Sequence, residues 1–152
     1  MYNMKKRGGM ISERYHSFFG TDERICQVSL DMRRREMDNE RLIETAILAG
    51  ETMLRSGAEA YRVEDTMSHI LKNADAESRE VIVMTTVVMA ELRVKGEQPL
   101  IRVKRVNNRG IDLNKVVLVN DTSRKLCHGE ICLEEAYEKM KQISKGTYKQ
   151  YT

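Results

Sequence analysis

The chain has 152 residues, 41% hydrophobic and 32% charged, which suits one domain with a folded core under a highly polar surface. Its net charge of +3 lies entirely in residues 1–37, which hold eight Lys/Arg and five Asp/Glu, while residues 38–152 hold eighteen of each. A neutral domain is a poor electrostatic match for nucleic acid, and no apolar run approaches the ~20 residues a membrane helix needs, so the chain by itself reads as soluble.

Residues 1–37 show neither helical nor strand periodicity and contain the basic cluster Arg33-Arg34-Arg35. They are expected to form a poorly ordered tail, or to precede an internal start at Met32 or Met37. The first clear element is a helix over about 39–56, with Asp38 placed to cap it. Ile43, Ala46, Ile47, Gly50, Met53 and Leu54 recur on one face, and the small Ala46 and Gly50 invite close approach by another element. Gly57 is the stop. A second helix over about 60–73 buries Val63, Met67, Ile70 and Leu71 and turns Arg62, Thr66 and His69 to a different face. Together the two should make a tight antiparallel hairpin.

A β region follows. Residues 81–89 are almost all β-branched or apolar, as in a strand covered on both faces, with a bend or a split near Thr85-Thr86. Residues 89–94 and 100–104 alternate around the turn signal Gly96-Glu97-Gln98-Pro99. That turn would set Leu92 against Val103 and Val94 against Ile101 on the core side, with Arg93 across from Arg102 on the other. After the loop Asn107–Gly110, Asp112 should cap a helix with Leu113, Val116, Val117 and Asn120 on one inward stripe, ended by Gly129. The last helix, about 133–143, turns Leu133, Ala136, Tyr137, Met140 and Ile143 inward behind Cys132 at its N-cap. The order ααβββαα predicts an α+β fold, a small and mainly antiparallel sheet with helices packed on one face. With no Trp and two Phe, part of the core falls to the ten Met.

Candidate chemistry is sparse. Three cysteines with no framework spacing suggest free thiols in a reducing compartment. Cys127-His128 with Cys132 is one ligand short of a structural zinc site, so neither a metal nor a cofactor is expected. There is no G-x-S-x-G elbow and no phosphate loop, and no catalytic residue is assigned. The segment 93–109 is strongly basic. Arg93, Arg102 and Lys104 are candidate contacts for an anionic partner, since like charges placed opposite one another call for a counter-ion or solvent. A solvated face explains them equally well.

Four blocks carry a family resemblance. Ser56-Gly57-Ala58 with Arg62-Val63-Glu64, then Val81 to Thr86, then Arg109-Gly110-Ile111-Asp112-Leu113 with Val119-Asn120 and Ser123-Arg124, then Gly129-Glu130 with Leu133 to Ala136, together resemble the N-terminal domain of the threonine/serine exporter family. The blocks span about residues 40–143; the second departs from the family in holding Thr85-Thr86 where a Thr-Pro pair is expected. The resemblance implies a cytoplasmic module, at the inner face of the cell membrane, that gates, assembles or senses for a bundle of membrane helices in the same or a separate chain. It implies as cargo a small amino acid or an organic acid. Carried over from the matching blocks, Arg62, Glu64, Thr85, Arg109, Asp112 and Asn120 are the expected substrate-binding residues, with Arg62 and Arg109 suited to a carboxylate. Asp112 serves equally well as a helix cap and Asn120 as a partner for buried backbone. The chain ends about where the resemblance expects a first membrane helix, so residues 146–152 would lead toward it, and Lys139, Lys141, Lys145 and Lys149 would lie on its cytoplasmic side. A homo-oligomer is a further expected partner state. A hydrolase-like enzyme, or a binder of anionic surfaces or nucleic acid through the basic hairpin, stands as the alternative function.

Overall fold

The computed structural model describes residues 38–146, with residues 31, 34 and 35 ahead of them. By its internal contacts the chain divides after Met37, and the account below is of the second unit. Apart from residues 31, 34 and 35, the tail expected over 1–37 lies outside the described residues, as do residues 147–152.

Four helices and three strands follow one another as ααβββαα: α1 over 38–55, then α2 (Ala60–Leu71), β1 (Ser78–Met84), β2 (Val87–Arg93), β3 (Leu100–Arg105), α3 (Leu113–Cys127) and α4 (Leu133–Lys145). The fold is α+β, as the periodicities predict. The strands form one antiparallel meander in the order β1-β2-β3. Val83, Val88, Ala90 and Leu92 turn one face of it into the core with the helices.

Asp38 is itself helical, so it lies within α1 instead of capping it. This helix is buried on most of its circumference: Leu42, Ile43, Thr45, Ala46, Ala49, Thr52, Met53 and Leu54 are all buried, the signature of a central helix. Thr45 and Thr52 survive there because each hydroxyl donates to the carbonyl four residues back, Arg41 and Leu48. Gly50 lets α2 come close, since a Cβ at that position would collide with the Met67 thioether. Three methionines, Met53, Met67 and Met140, are fully buried, filling gaps that a core poor in aromatics leaves.

Gly57 ends α1 with a φ of +89°. Its amide donates to Leu54 O and that of Ala58 to Met53 O, the paired closure of a Schellman motif. Gly129 closes α3 the same way, with Gly129 N donating to Leu126 O and Glu130 N to Lys125 O. Asp112 is the expected cap of α3, its carboxylate accepting from Lys115 N at 3.2 Å.

The run 81–89 is split at Thr85-Thr86 into two strands, as expected, with Met84 paired to Val87. The β region departs from expectation in two other ways. The run is covered on one face only, because Ile82 and Met84 are exposed. Across β2 and β3 the observed partners are Leu92 with Leu100, Ala90 with Arg102 and Met89 with Val103, three residues away from the expected register. An odd shift exchanges the faces of a strand. Ile101 and Val103 therefore point away from the helices, while Arg102 and Lys104 point toward α1, where Arg102 approaches Glu40 at 3.8 Å and Lys104 approaches Glu51 at 3.6 Å. The sequence of β3 has apolar residues on both faces, so those ion pairs, not hydrophobic alternation, distinguish its two sides.

The inward stripe of α3 is also rotated from expectation. Val116, Val119, Thr122, Ser123 and Leu126 are buried, whereas Leu113 and Val117 are exposed. In α4, Ala136, Met140 and Ile143 are buried. Tyr137 is half-buried, with the Arg41 guanidinium 4.3 Å from its ring centre.

Candidate functional site: a groove between α2 and α3

The predicted site residues separate into two groups. Glu64, Arg109 and Asp112 are each hydrogen-bonded to backbone. Glu64 Oε1 accepts from Val83 N at 3.0 Å, occupying an amide that an edge strand would otherwise leave open. Arg109 Nε donates to Leu54 O at 3.2 Å, a cation at a helix C-terminus where the dipole favours it. The loop around it docks on the same helix end, with Gly110 N donating to Arg55 O and Asp112 N to Ser56 O. A Cβ on Gly57 would stand 2.9 Å from Gly110 O. The first and third sequence blocks thus meet as one structural joint. Thr85 is exposed in the β1–β2 turn, and Arg93 is paired with Glu91 at 2.8 Å and sits opposite Ser78, not Arg102.

Arg62 and Asn120 belong to the second group. They face each other across a groove between α2 and α3, whose main cavity is about 630 Å³ and is lined by Tyr61, Arg62, Asp65, Leu113, Val117, Asn120 and Arg124 among others. An adjoining lobe of about 360 Å³ continues along Asp65, Thr66, Asn120 and Arg124 to His69 and Cys127. Helical spacing builds this arrangement: positions 62, 65 and 69 of α2 and 113, 117, 120 and 124 of α3 each run along one stripe. Thr66, expected on a different face of α2 from the buried stripe, is itself buried beneath the groove and donates to Arg62 O.

The side chains of Arg62, Arg124 and Asn120 make no hydrogen bond or ion pair among the described residues. Asp65 Oδ1 lies 3.3 Å from His69 Nδ1, a contact that is an ion pair only when the imidazole is protonated. At the mouth, the Glu59 carboxylate accepts from the Tyr61 phenol and repels its ionised form, which raises the phenol pKa. Ser123 Oγ donates to Asn120 O, and Cys127 Sγ to His69 O. Among the described residues no group of three or more His, Cys, Asp or Glu is arranged to hold a metal ion. Arg124, Asp65 and the wall residues Leu113 and Val117 were not expected in the site. The legible signal was spacing: Arg124 follows Asn120 by one helical turn, within the same sequence block.

Fold and groove together define a two-layer α+β domain with an open, cation-lined cleft between two helices. Among its described residues no helix is long and apolar enough to cross a membrane. The chain belongs to the threonine/serine exporter family: the model of the family described as "Putative threonine/serine exporter" (ThrE) matches residues 44–152. Comparison with curated proteins and with solved structures gives no match.

Proposed function

We propose that this chain is the cytoplasmic module of a threonine/serine exporter, and that its α2/α3 groove holds the carboxylate of a small amino acid or organic acid on behalf of a membrane part. One observation supports the reading: two guanidinium groups without a partner among the described residues, Arg62 and Arg124, line the same cavity as the Asn120 carboxamide, likewise unpartnered among them. Guanidinium forks match carboxylate geometry, and charge-assisted bonds of this kind are the strong ones. Asp65 supplies a counter-charge for an ammonium group, and Tyr61, Leu113 and Val117 supply apolar wall. A volume of this order suits a small ligand. Hydrolysis is less well supported, because the hydroxyl of Ser123 and the thiol of Cys127 both donate to backbone carbonyls, whereas an activated nucleophile is hydrogen-bonded to its base. Gating or assembly would follow if cargo in the groove changes how the domain meets the membrane part.

Calorimetric titration with threonine, serine and a dicarboxylate tests the reading. Saturable binding is expected, weakened at least tenfold in Arg62→Ala and in Arg124→Ala with the melting temperature unchanged. Heat of dilution alone from all three at ~10 mM, or binding indifferent to both substitutions, would overturn it.

A further inference from the structure

We propose that the outer face of the β-sheet is the interface of a two-fold homodimer. The face turned away from the helices carries Ile82, Met84, Ile101 and Val103, exposed by 43, 61, 51 and 60%. Val87 and Met89 lie between them on the central strand, half-buried. These six residues form two adjoining cross-strand rows, Ile82–Met89–Val103 and Met84–Val87, with Ile101 beside them. A contiguous apolar patch of this kind marks an interaction site on a monomer, unlike scattered exposed side chains.

The charges on the same face select the occupant. Glu80 is on β1 near one end of the sheet, and Arg105 is on β3 at the other, so they occupy diagonal corners around Met89. Neither side chain has an ion pair among the described residues. A two-fold axis in the plane of contact, passing through Met89, lays each corner on the opposite corner of a second copy. Glu80 then meets Arg105 twice, and Met89 packs on its own equivalent. Such an isologous contact needs a self-complementary patch, and it crosses the strands steeply, as in orthogonal sheet packing. Glu91 on the same face is already paired with Arg93, so an anionic lipid surface or a nucleic acid would leave Glu80 facing like charge. A second copy satisfies both signs at once.

At ~3.3 Å per residue and ~4.8 Å between strands the face projects to roughly 300 Å². That is well below the ~800 Å² per partner of a standard interface. The dimer therefore belongs to the weak class. This inference does not rest on the groove.

Sedimentation equilibrium of the full chain from ~10 μM to ~1 mM is the test. The weight-average mass should rise from 17.6 kDa toward its double. Val103→Glu should weaken association at least tenfold. So should Glu80→Arg and Arg105→Glu singly, while the double exchange Glu80→Arg/Arg105→Glu should restore it. All three positions are exposed, and circular dichroism checks that each variant is folded. A monomer at ~1 mM overturns the proposal, as does association indifferent to Val103→Glu. Failure of the double exchange to recover association overturns it too, as does flotation of a monomeric chain on neutral vesicles that Val103→Glu abolishes.

Discussion

Gly57 carries two constraints that no other residue type meets together. Its φ of +89° is a left-handed conformation, and its missing Cβ leaves room for Gly110 O. Gly96 has a similar φ of +78° but open space where its Cβ would be. Gly57→Ala should therefore cost about 2–3 kcal/mol and Gly96→Ala about 1 kcal/mol. Urea unfolding of the two variants separates strain from collision, and equal losses would remove the argument for a joint between residues 57 and 110. Glu64 permits a similar separation. Glu64→Ala strips the acceptor from Val83 N and should cost about 1 kcal/mol. Glu64→Gln keeps an oxygen there and should recover most of it. If Gln restores stability but cargo binding is lost, Glu64 does more than hold β1.

The strands show how a basic run becomes ordinary structure. Arg102 and Lys104 reach back to α1, and Lys104 shares the buried Glu51 with Arg55, whose own contact is 2.6 Å. Lys104→Glu should therefore destabilise the domain by about 1 kcal/mol, a modest figure because the lysine is half exposed and Arg55 remains. Arg93→Glu replaces an attractive neighbour of Glu91 with a repulsive one. It should lower stability by at most about 0.5 kcal/mol, where the expected Arg93–Arg102 opposition would have made it stabilising. Thermal melts of the two variants check both signs. Arg79 escaped notice in the sequence although it donates to Leu71 O and Ala74 O, satisfying carbonyls at the end of α2. Nothing local marks a strand residue as the cap of a helix several residues upstream.

For the whole molecule, the division after Met37 and the closed core behind it lead to one expectation. A chain beginning at Asp38 should keep its melting temperature to within a few degrees. A loss of ten degrees or more would mean that residues 1–37 contribute to the core. At the other end, Lys139 and Lys141 are paired with Glu135 and Glu138, so the basic character expected beside a membrane rests on Lys145 and the residues after it. Changing Lys145 and Lys149 to Glu should reduce flotation with anionic vesicles at low salt while leaving the melt unchanged. Equal flotation would leave a basic helix end favoured by its own dipole.

The sequence alone determined the element types and their order. Helical and alternating periods, the Gly57 and Gly129 stops and the Asp112 cap are local properties, written within a few residues of where they act. It also determined the family, since the four blocks keep their residues whatever their contacts. Tertiary structure decided which side of each element faces inward. In β3, apolar residues fall on both faces, and the register was set by Val88, Ala90 and Leu92 seeking the helices and by Glu40 and Glu51 on α1. In α3, a stripe read as core became the wall of a groove because α2 covers only part of it. Of the carried-over residues, Arg62 and Asn120 meet in that groove while Glu64, Arg109 and Asp112 bind backbone. Spacing along a chain cannot separate these roles, because a guanidinium or carboxylate serves a ligand or a helix end equally well until the fold supplies one or the other.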